Sequence, residues 1–378
     1  MYAMPIEFKE GGSGYTLGVE EELSVVDATT GELVPKIEEI MSRLPEHLGE
    51  FVSYELFQSV LEIKTPVCAS AAETERHLRE LRGRVGSWAA ACGASLASSG
   101  THPFSRYRDQ KVTQQERYEN VIKTLRWIAQ REVIFGQHVH VAVPGPEEAI
   151  IAHNLLSRHA PLLLALSANS PFWQGFDTGL ESARVKIFET FPRAGLPPAF
   201  PDYEAFEDYV DLMVASGAME DYTYCWWDVR PHPGIGTIEL RVLDSQTDLK
   251  YTTSLTALTQ CLVAEVLEEV GPHEPYDMHI AMENKWRAAM HGMDAAFYDA
   301  KDETTVPARD LARGLLERLK PQAQSLGCEN ELEGVLEIVE GGTGSQRQRE
   351  VYDKSGDFLD VVAFLIEGTR PALAEEQS

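Results

Sequence analysis

Apolar and polar positions alternate every second residue in several short stretches of the chain, and recur every three to four residues in longer ones. Tyr15–Val26 predicts a strand with Leu17, Val19, Glu21, Leu23 and Val25 on one face and Thr16, Gly18, Glu20, Glu22 and Ser24 on the other. Val133–Val143 repeats the pattern, with Gln137, Val139, Val141 and Val143 opposed to His138 and His140. Gly236–Asp244 sets Ile238, Leu240 and Val242 against Glu239 and Arg241, and pairs with a strand at Tyr222–Arg230 through the turn PHPGIG. Ala94–Ala97 reads as a short strand and Phe51–Ile63 as extended but interrupted. Glu55 and Glu62 stand seven positions apart, so an unbroken strand would point them to opposite faces. If both serve one site, the chain turns or bulges between them.

Helical spacing predicts helices at Pro35–Arg43, Ala71–Cys92, Gln114–Arg131, Pro146–Ala168, Tyr203–Ser216 and Leu249–Val270. The remainder, to about Leu373, reads as mostly helix with a break at Gly341–Gly344, either a mobile loop or a lid. No repeat or low-complexity linker divides the chain, so one domain spanning 1–378 is the economical expectation, an α+β fold with an antiparallel-leaning sheet packed by helices.

Composition narrows the function classes. The 378 residues carry 33 Lys and Arg against 60 Asp and Glu, a formal net charge of −27. That balance opposes binding to nucleic acid or to an anionic membrane. No run of 18 apolar residues is present and the N-terminus lacks the order of a signal peptide. Five scattered cysteines without a CxxC fit a reduced, cytoplasmic protein. An anionic substrate must nonetheless reach this anionic protein, so cations must gather locally.

The chain lacks a Walker A loop, a complete GxGxxG, HExxH and GxSxG. What remains is a set of charged residues on strand faces: Glu20, Glu22, Glu55, Glu62, His138 and Glu239, with Arg241 two positions from Glu239. Hard carboxylate oxygens with one or two imidazoles suit Mg²⁺, or Mn²⁺, better than Zn²⁺. More carboxylates than one ion needs imply several ions, the usual equipment of nucleotide phosphoryl transfer. Solvated edge acids, core histidines and a plain Glu239–Arg241 ion pair are the competing readings of each strand taken alone. Replacing Glu239 is expected to spare the fold, because the core atoms belong to Ile238, Leu240 and Val242.

The segments GVEEEL, ELFQSVLEIKTPV, SGTHPF, FGQHVHVAVPG, SANSPFWQG, WWDVRPHPGIGTIELRVLDSQT and ENKWRAAMHGMDA resemble, in order, the type 2 glutamate–cysteine ligase family. The match runs from about Tyr15 to Asp294, with a vaguer helical match across 295–373. The resemblance implies a glutamine-synthetase-like fold, a curved antiparallel sheet forming a funnel with helices outside. It implies an ATP-dependent carboxylate–amine ligase working through an acyl phosphate, with glutamate and cysteine as default substrates, and a homodimer. It implies one Mg²⁺ on Glu22, Glu55 and Glu62 and another on Glu20, His138 and Glu239. Arg241 would contact phosphate and His140 nucleotide or substrate; Arg230, Lys285 and Arg287 are the remaining candidate cations for phosphate or substrate carboxylate, and Glu62 a candidate base. A guanidino kinase on the same fold and a non-catalytic nucleotide- or metal-binding regulator are the alternatives.

Overall fold

A computed structural model of the chain describes residues 6–12, 14–268 and 277–371. Its strands are β1 (Leu17–Asp27), β2 (Val52–Tyr54), β3 (Val60–Lys64), β4 (Ala94–Ala97), β5 (Gly136–Ala142), β6 (Phe172–Trp173), β7 (Phe176–Asp177), β8 (Val229–His232), β9 (Thr237–Asp244), β10 (Ala296–Asp299) and β11 (Thr304–Pro307). The first nine helices are α1 (Ile37–Met41), α2 (Ala71–Ala91), α3 (Glu116–Leu125), α4 (Trp127–Gln130), α5 (Pro146–Ser167), α6 (Ala183–Phe188), α7 (Tyr203–Ala215), α8 (Leu249–Glu268) and α9 (Met278–His291). The C-terminal part adds α10 (Ala308–Arg318), α11 (Lys320–Leu326), α12 (Glu329–Gly341), α13 (Gly344–Ser355) and α14 (Phe358–Thr369).

The main sheet runs β2-β3-β1-β5-β9-β8, antiparallel throughout. Beyond its pairing with β5, β1 continues alongside β4, Ser24–Asp27 against Ala94–Ala97. One face carries the alternate apolar residues. Leu17, Val139, Val141, Ile238 and Leu240 join a core with Leu163 and Leu166 of α5 and Leu258 and Leu262 of α8. Val19, Leu23 and Ile63 pack with Leu78 and Val85 of α2. Helix α5 is long and apolar enough to reach across a bilayer, but 78% of its apolar window is buried inside the protein, where the sheet and neighbouring helices take up that surface.

Glu21 sits on this apolar face, as the alternation predicts, and the structure supplies its partner. Arg82 of α2 donates from Nε and Nη2 to the two Glu21 oxygens at 2.8 and 2.6 Å. The same guanidinium donates to the carbonyls of Gln246 and Thr247, and the Thr252 hydroxyl donates to Glu21. Both side chains are fully buried. A carboxylate inside an apolar layer is tolerable only with its charge matched and its lone pairs filled, and this bidentate pair does both.

Several expected elements differ. The β2–β3 hairpin sets Ser53 opposite Glu62 and leaves Glu55 in the connecting loop, the turn that the odd Glu55–Glu62 spacing required. The expected strand at Tyr222–Arg230 begins only at Val229, because Tyr222–Tyr224 closes a 3-10 turn. The helix expected at Gln114–Arg131 breaks into α3 and α4 at Arg126, whose φ of 52° lies in the left-handed region. The C-terminal part, expected as helix, also contains the β10–β11 hairpin. Gly341–Gly344 is not a free flap: Thr343 and Ser345 are buried, the Ser345 N–H donates to the Ala168 carbonyl, and a Cβ at Gly344 would lie 2.1 Å from the Asn169 side-chain oxygen. The expected ends at Val270 and Leu373 lie outside the described residues.

Replacing Arg82 with Met is expected to lower unfolding free energy by about 3–5 kcal/mol, because Glu21 is left buried and unpaired. Adding Glu21→Leu to Arg82→Met should recover most of that loss. Denaturant melts of the two variants test this; equal stabilities for them would mean that the pair does not carry the charge balance.

Candidate active site

Strand register turns the opposite face into a cluster. Glu22 lies across from Glu62, Glu20 across from Lys64 on one side and His138 on the other, His140 across from Glu239, and Glu239 across from Arg230. A register shift between Gln137 and Val139 lets β9 carry an extra residue beside His138, the bulge that accommodates Arg241. Over this face lies a cavity of about 450 Å³, within the usual range for small-molecule sites. The loop carboxylate Glu55 enters it beside Glu22 and Glu62, and α3 and α6 contribute Arg117, Tyr118, Arg184 and Phe188 to its walls.

Three groups of donor atoms converge there: Glu22 with Glu55 and Glu62, Glu20 with Glu62 and His138, and Glu20 with His140 and Glu239, each within 4.8 Å. The His140 Nε2 atom lies 3.7 Å from Glu20 and 3.8 Å from Glu239 and has no hydrogen-bond partner, while its Nδ1 is 3.1 Å from the Thr237 hydroxyl. An imidazole nitrogen left open between two carboxylates, in a set made of hard oxygen donors, fits a divalent cation. The trio expected for the second ion, Glu20 with His138 and Glu239, does not converge as such. His138 turns its Nδ1 to Glu20 at 3.1 Å, and His140 stands between Glu20 and Glu239.

The electrostatics divide the carboxylates. Burial, then the neighbouring charge of Glu22, pushes Glu55 up to about 8. Glu62 is pushed well above the carboxylate range by burial and by Glu20, Glu55 and Glu22. At Glu20 burial acts upward, but hydrogen bonds and charge from His138 and His140 outweigh it and hold the group well below its ordinary value. At Glu239 burial is outweighed by Arg230 and Arg241, and the carboxyl is held far down. Arg230 donates from Nε to Glu239 at 2.7 Å, and Arg241 donates to the other Glu239 oxygen. Glu239 is therefore the counter-ion of two guanidiniums, that of Arg230 buried and that of Arg241 largely so. Its replacement does not simply spare the fold, as the strand pattern had suggested, because it leaves those cations unmatched.

Two expected residues lie elsewhere. Lys285 of α9 is buried against Asp228 at 2.5 Å and Glu189 at 2.9 Å and does not line the cavity. Arg287 pairs on the surface with Glu283 and donates to the Ala296 carbonyl. Their helical spacing could not show which side of α9 faces the sheet. Conversely, the cavity contains Lys64, Arg117, Glu132, Arg184, Trp226 and His232, none of which the strand patterns singled out. Lys64 alone carried a signal, standing two positions from Glu62 on the same strand face. Arg184 is held over the start of β5, its Nη2 filling the space that a Cβ on Gly136 would enter, 2.2 Å away. The guanidinium donates to the carbonyls of Arg241 and Val242, and the Gly136 N–H donates to Glu22 at 2.6 Å.

The profile of glutamate–cysteine ligase family 2 matches residues 16–364, well past the point where the motifs fade. A protein of Rubrobacter xylanophilus, provisionally named glutamate–cysteine ligase 2-1, is 77% identical over 99% of this chain and 100% of its own length. One from Gloeobacter violaceus, provisionally named glutamate–cysteine ligase 2, is 39% identical over 97% of this chain and 99% of its own. The crystal structure of glutamate–cysteine ligase from Francisella tularensis in complex with AMP superposes with a TM-score of 0.71, at 14% identity, over 97% of this chain and 91% of that one, a likeness of fold. Sheet, site and relatives together define an ATP-dependent carboxylate–amine ligase, an enzyme that forms carbon–nitrogen bonds. The chain belongs to the glutamate–cysteine ligase family 2. Membership sets aside the guanidino-kinase and regulator readings.

The raised carboxyls set a pH dependence. Glu55 keeps its proton in the folded state up to about 8, whereas the unfolded group loses it near 4.5. Unfolding therefore releases a proton between those values, and the stability this group contributes is full below 4.5 and lost as pH rises through 8. Metal-free protein is expected to melt at progressively lower temperature from pH 5 to pH 8.5, and Glu55→Gln to flatten that slope. A slope unchanged by Glu55→Gln would show that other groups set it.

Proposed function

We propose that the chain uses ATP to phosphorylate a carboxylate and passes the acyl group to an amine, with glutamate and cysteine as the substrate pair that its relatives' names suggest. The observation that carries this reading is the convergence of Glu20, Glu22, Glu55, Glu62 and Glu239 with His138 and His140 on one sheet face beneath a cavity. Such a surface repels ATP and a carboxylate substrate alike unless cations intervene. A divalent ion would be held by Glu22, Glu55 and Glu62, and another by Glu20 with His140 and Glu239 or with Glu62 and His138; when bound, Mg²⁺ or Mn²⁺ neutralises phosphoryl oxygens and orients them.

The chain's own cations do the rest. Arg241, fixed by Glu239 and by its place in the bulge, presents a guanidinium to phosphoryl oxygens. Arg230 is braced by Glu239 and by the carbonyl of Thr223, so it positions Glu239 and adds positive charge behind it. Arg117 has no hydrogen-bond or ion-pair partner among the described residues and lines the cavity, which leaves it free to receive a substrate carboxylate. A carboxylate resists attack by an amine because its leaving group would be oxide; phosphorylation replaces that with phosphate, and holding the reactants in one cavity makes the second step unimolecular in effect.

Hydroxylamine trapping tests the intermediate. With Mg²⁺, ATP and glutamate but no amine, the protein should form glutamyl hydroxamate in step with ADP; ADP without hydroxamate across a panel of carboxylates would sink the reading. Arg241→Ala is expected to lower kcat by about 10²–10³ while leaving the melting temperature nearly unchanged, since Glu239 keeps Arg230 as its partner. Glu239→Gln should lower both kcat and melting temperature, because two guanidiniums lose their counter-ion. A plain structural ion pair would lower stability in both variants and spare turnover.

A further inference from the structure

Glu132 lies between α4 and β5 and lines the cavity, yet both of its carboxylate oxygens are buried without a hydrogen-bond partner among the described residues. Its situation differs from that of the other acids there. Glu20 is engaged by His138, Glu22 by the Gly136 N–H, and Glu239 by two arginines, while Glu55 and Glu62 belong to a donor group that fits a cation. Glu132 belongs to none of the three donor groups. A structural ion pair does not account for it either. The nearby charges of Arg184 and Arg131 draw its proton affinity down, but neither guanidinium makes a hydrogen bond or an ion pair with it among the described residues, and both Nη atoms of Arg184 donate to the carbonyls of Val242 and Arg241.

Burial pushes the Glu132 carboxyl up to about 8, against the pull of Arg184. An unmatched acid in such a place is a cost to the free protein, and a neutral or apolar residue of the same size would be more stable. A cost of this kind is offset when a ligand supplies the missing partner. The ligand must bring hydrogen-bond donors and positive charge, and it must be small enough to lie beside Ile134 and Phe188, which line the same cavity. A primary ammonium meets these terms with three donors on one charged atom. The nucleophile of an amide-forming reaction is a primary amine that is largely protonated at neutral pH.

On the basis of the ligase reading, we propose that Glu132 is the binding residue for the ammonium group of the amine substrate, and so a determinant of which amines this enzyme accepts. The carboxylate would fix the nitrogen by charge-assisted hydrogen bonds. Rejection of analogues without the ammonium then follows from the cost of leaving Glu132 unpartnered again.

The test has a kinetic and an equilibrium arm. In the kinetic arm, Glu132→Gln should raise KM for cysteine by about 10- to 100-fold, the range for losing a hydrogen bond to a charged group, while KM for ATP and for glutamate stays within about two-fold. A rise in KM for glutamate with cysteine unmoved, or no change in either, overturns the assignment. In the equilibrium arm, melting temperature is read with Mg²⁺ and a non-hydrolysable ATP analogue present. Cysteine and cysteamine, which lacks the carboxylate, should raise the wild-type melting temperature, and 3-mercaptopropionate, which lacks the ammonium, should not. Glu132→Gln should abolish both positive shifts and should itself melt no lower than wild type without amine. An absent shift with cysteamine in the wild type, or a variant that melts lower and keeps the shift, overturns the proposal. Because this arm needs no turnover, failure of the ligase reading (no ADP with any substrate pair) is separable from failure at Glu132.

Discussion

Everything in this structure depends on the two-residue period of β1. Three consecutive glutamates, Glu20, Glu21 and Glu22, are sorted by that period to opposite faces of the sheet and meet opposite fates. Glu21 enters the apolar layer and is neutralised by Arg82. Glu20 and Glu22 enter the cavity, where each faces further acids or imidazoles from the strands on either side. A slip of one residue would exchange them, putting two carboxylates behind the sheet, where one guanidinium waits, and leaving one in front. The Glu21–Arg82 pair is thus more than a tolerated buried charge. It penalises the wrong register, because the single guanidinium can match only one of the two carboxylates that a slip would bury.

The same economy governs the positive charges. In a chain of net charge −27, the cavity gathers Lys64, Arg117, Arg184, Arg230 and Arg241 around its acids. Arg230 and Arg241 share one carboxylate, and Arg184 donates to two backbone carbonyls and lies 3.9 Å from Asp244. Arg117 acts on Glu55 and Lys64 on Glu62 by charge alone, so the row of Glu22, Glu55 and Glu62 has no ion-paired cation among the described residues. Burial first, and then repulsion among the carboxylates, raises the proton affinity of Glu55 and Glu62, and both terms are what a divalent ion in the proposed site would relieve. A site fully neutralised by its own arginines would be more stable and would hold no metal.

Much of this was legible in the sequence, because alternation in a strand is a geometric rule that needs no partner to be known. The facing of Glu20, Glu22, His138, His140, Glu239 and Arg241 followed from parity, and the hairpin between Glu55 and Glu62 followed from their odd spacing. Residues on helices and loops were not legible in the same way. Arg82 stands in α2 among Arg76, Arg79 and Arg84, which pair with glutamates on the same exposed helix, and nothing local marks it as the buried one. Lys285 and Arg287 share α9 at two-residue spacing, and which of them faces inward depends on the packing of that helix against its neighbours. Glu132 lies in an irregular connection, where no periodicity exists to read.

The cysteines bear on the chemistry by their placement. All five are free thiols, and none is among the residues that line the cavity. Cys261 and Cys328 lie 3.5 Å apart deep in the core behind the sheet, and burial raises Cys225 to about 12. A thiolate must reach the acyl group to act as a nucleophile, so cysteines placed away from the cavity wall offer none there. Amide formation through a protein thioester would need one at the cavity wall. With the wall built instead of carboxylates, imidazoles and guanidiniums, the proposed reaction would need its activated acyl group carried by something the substrates bring with them. In the proposed reading that carrier is phosphate from ATP, which such a surface would hold once cations matched its carboxylates.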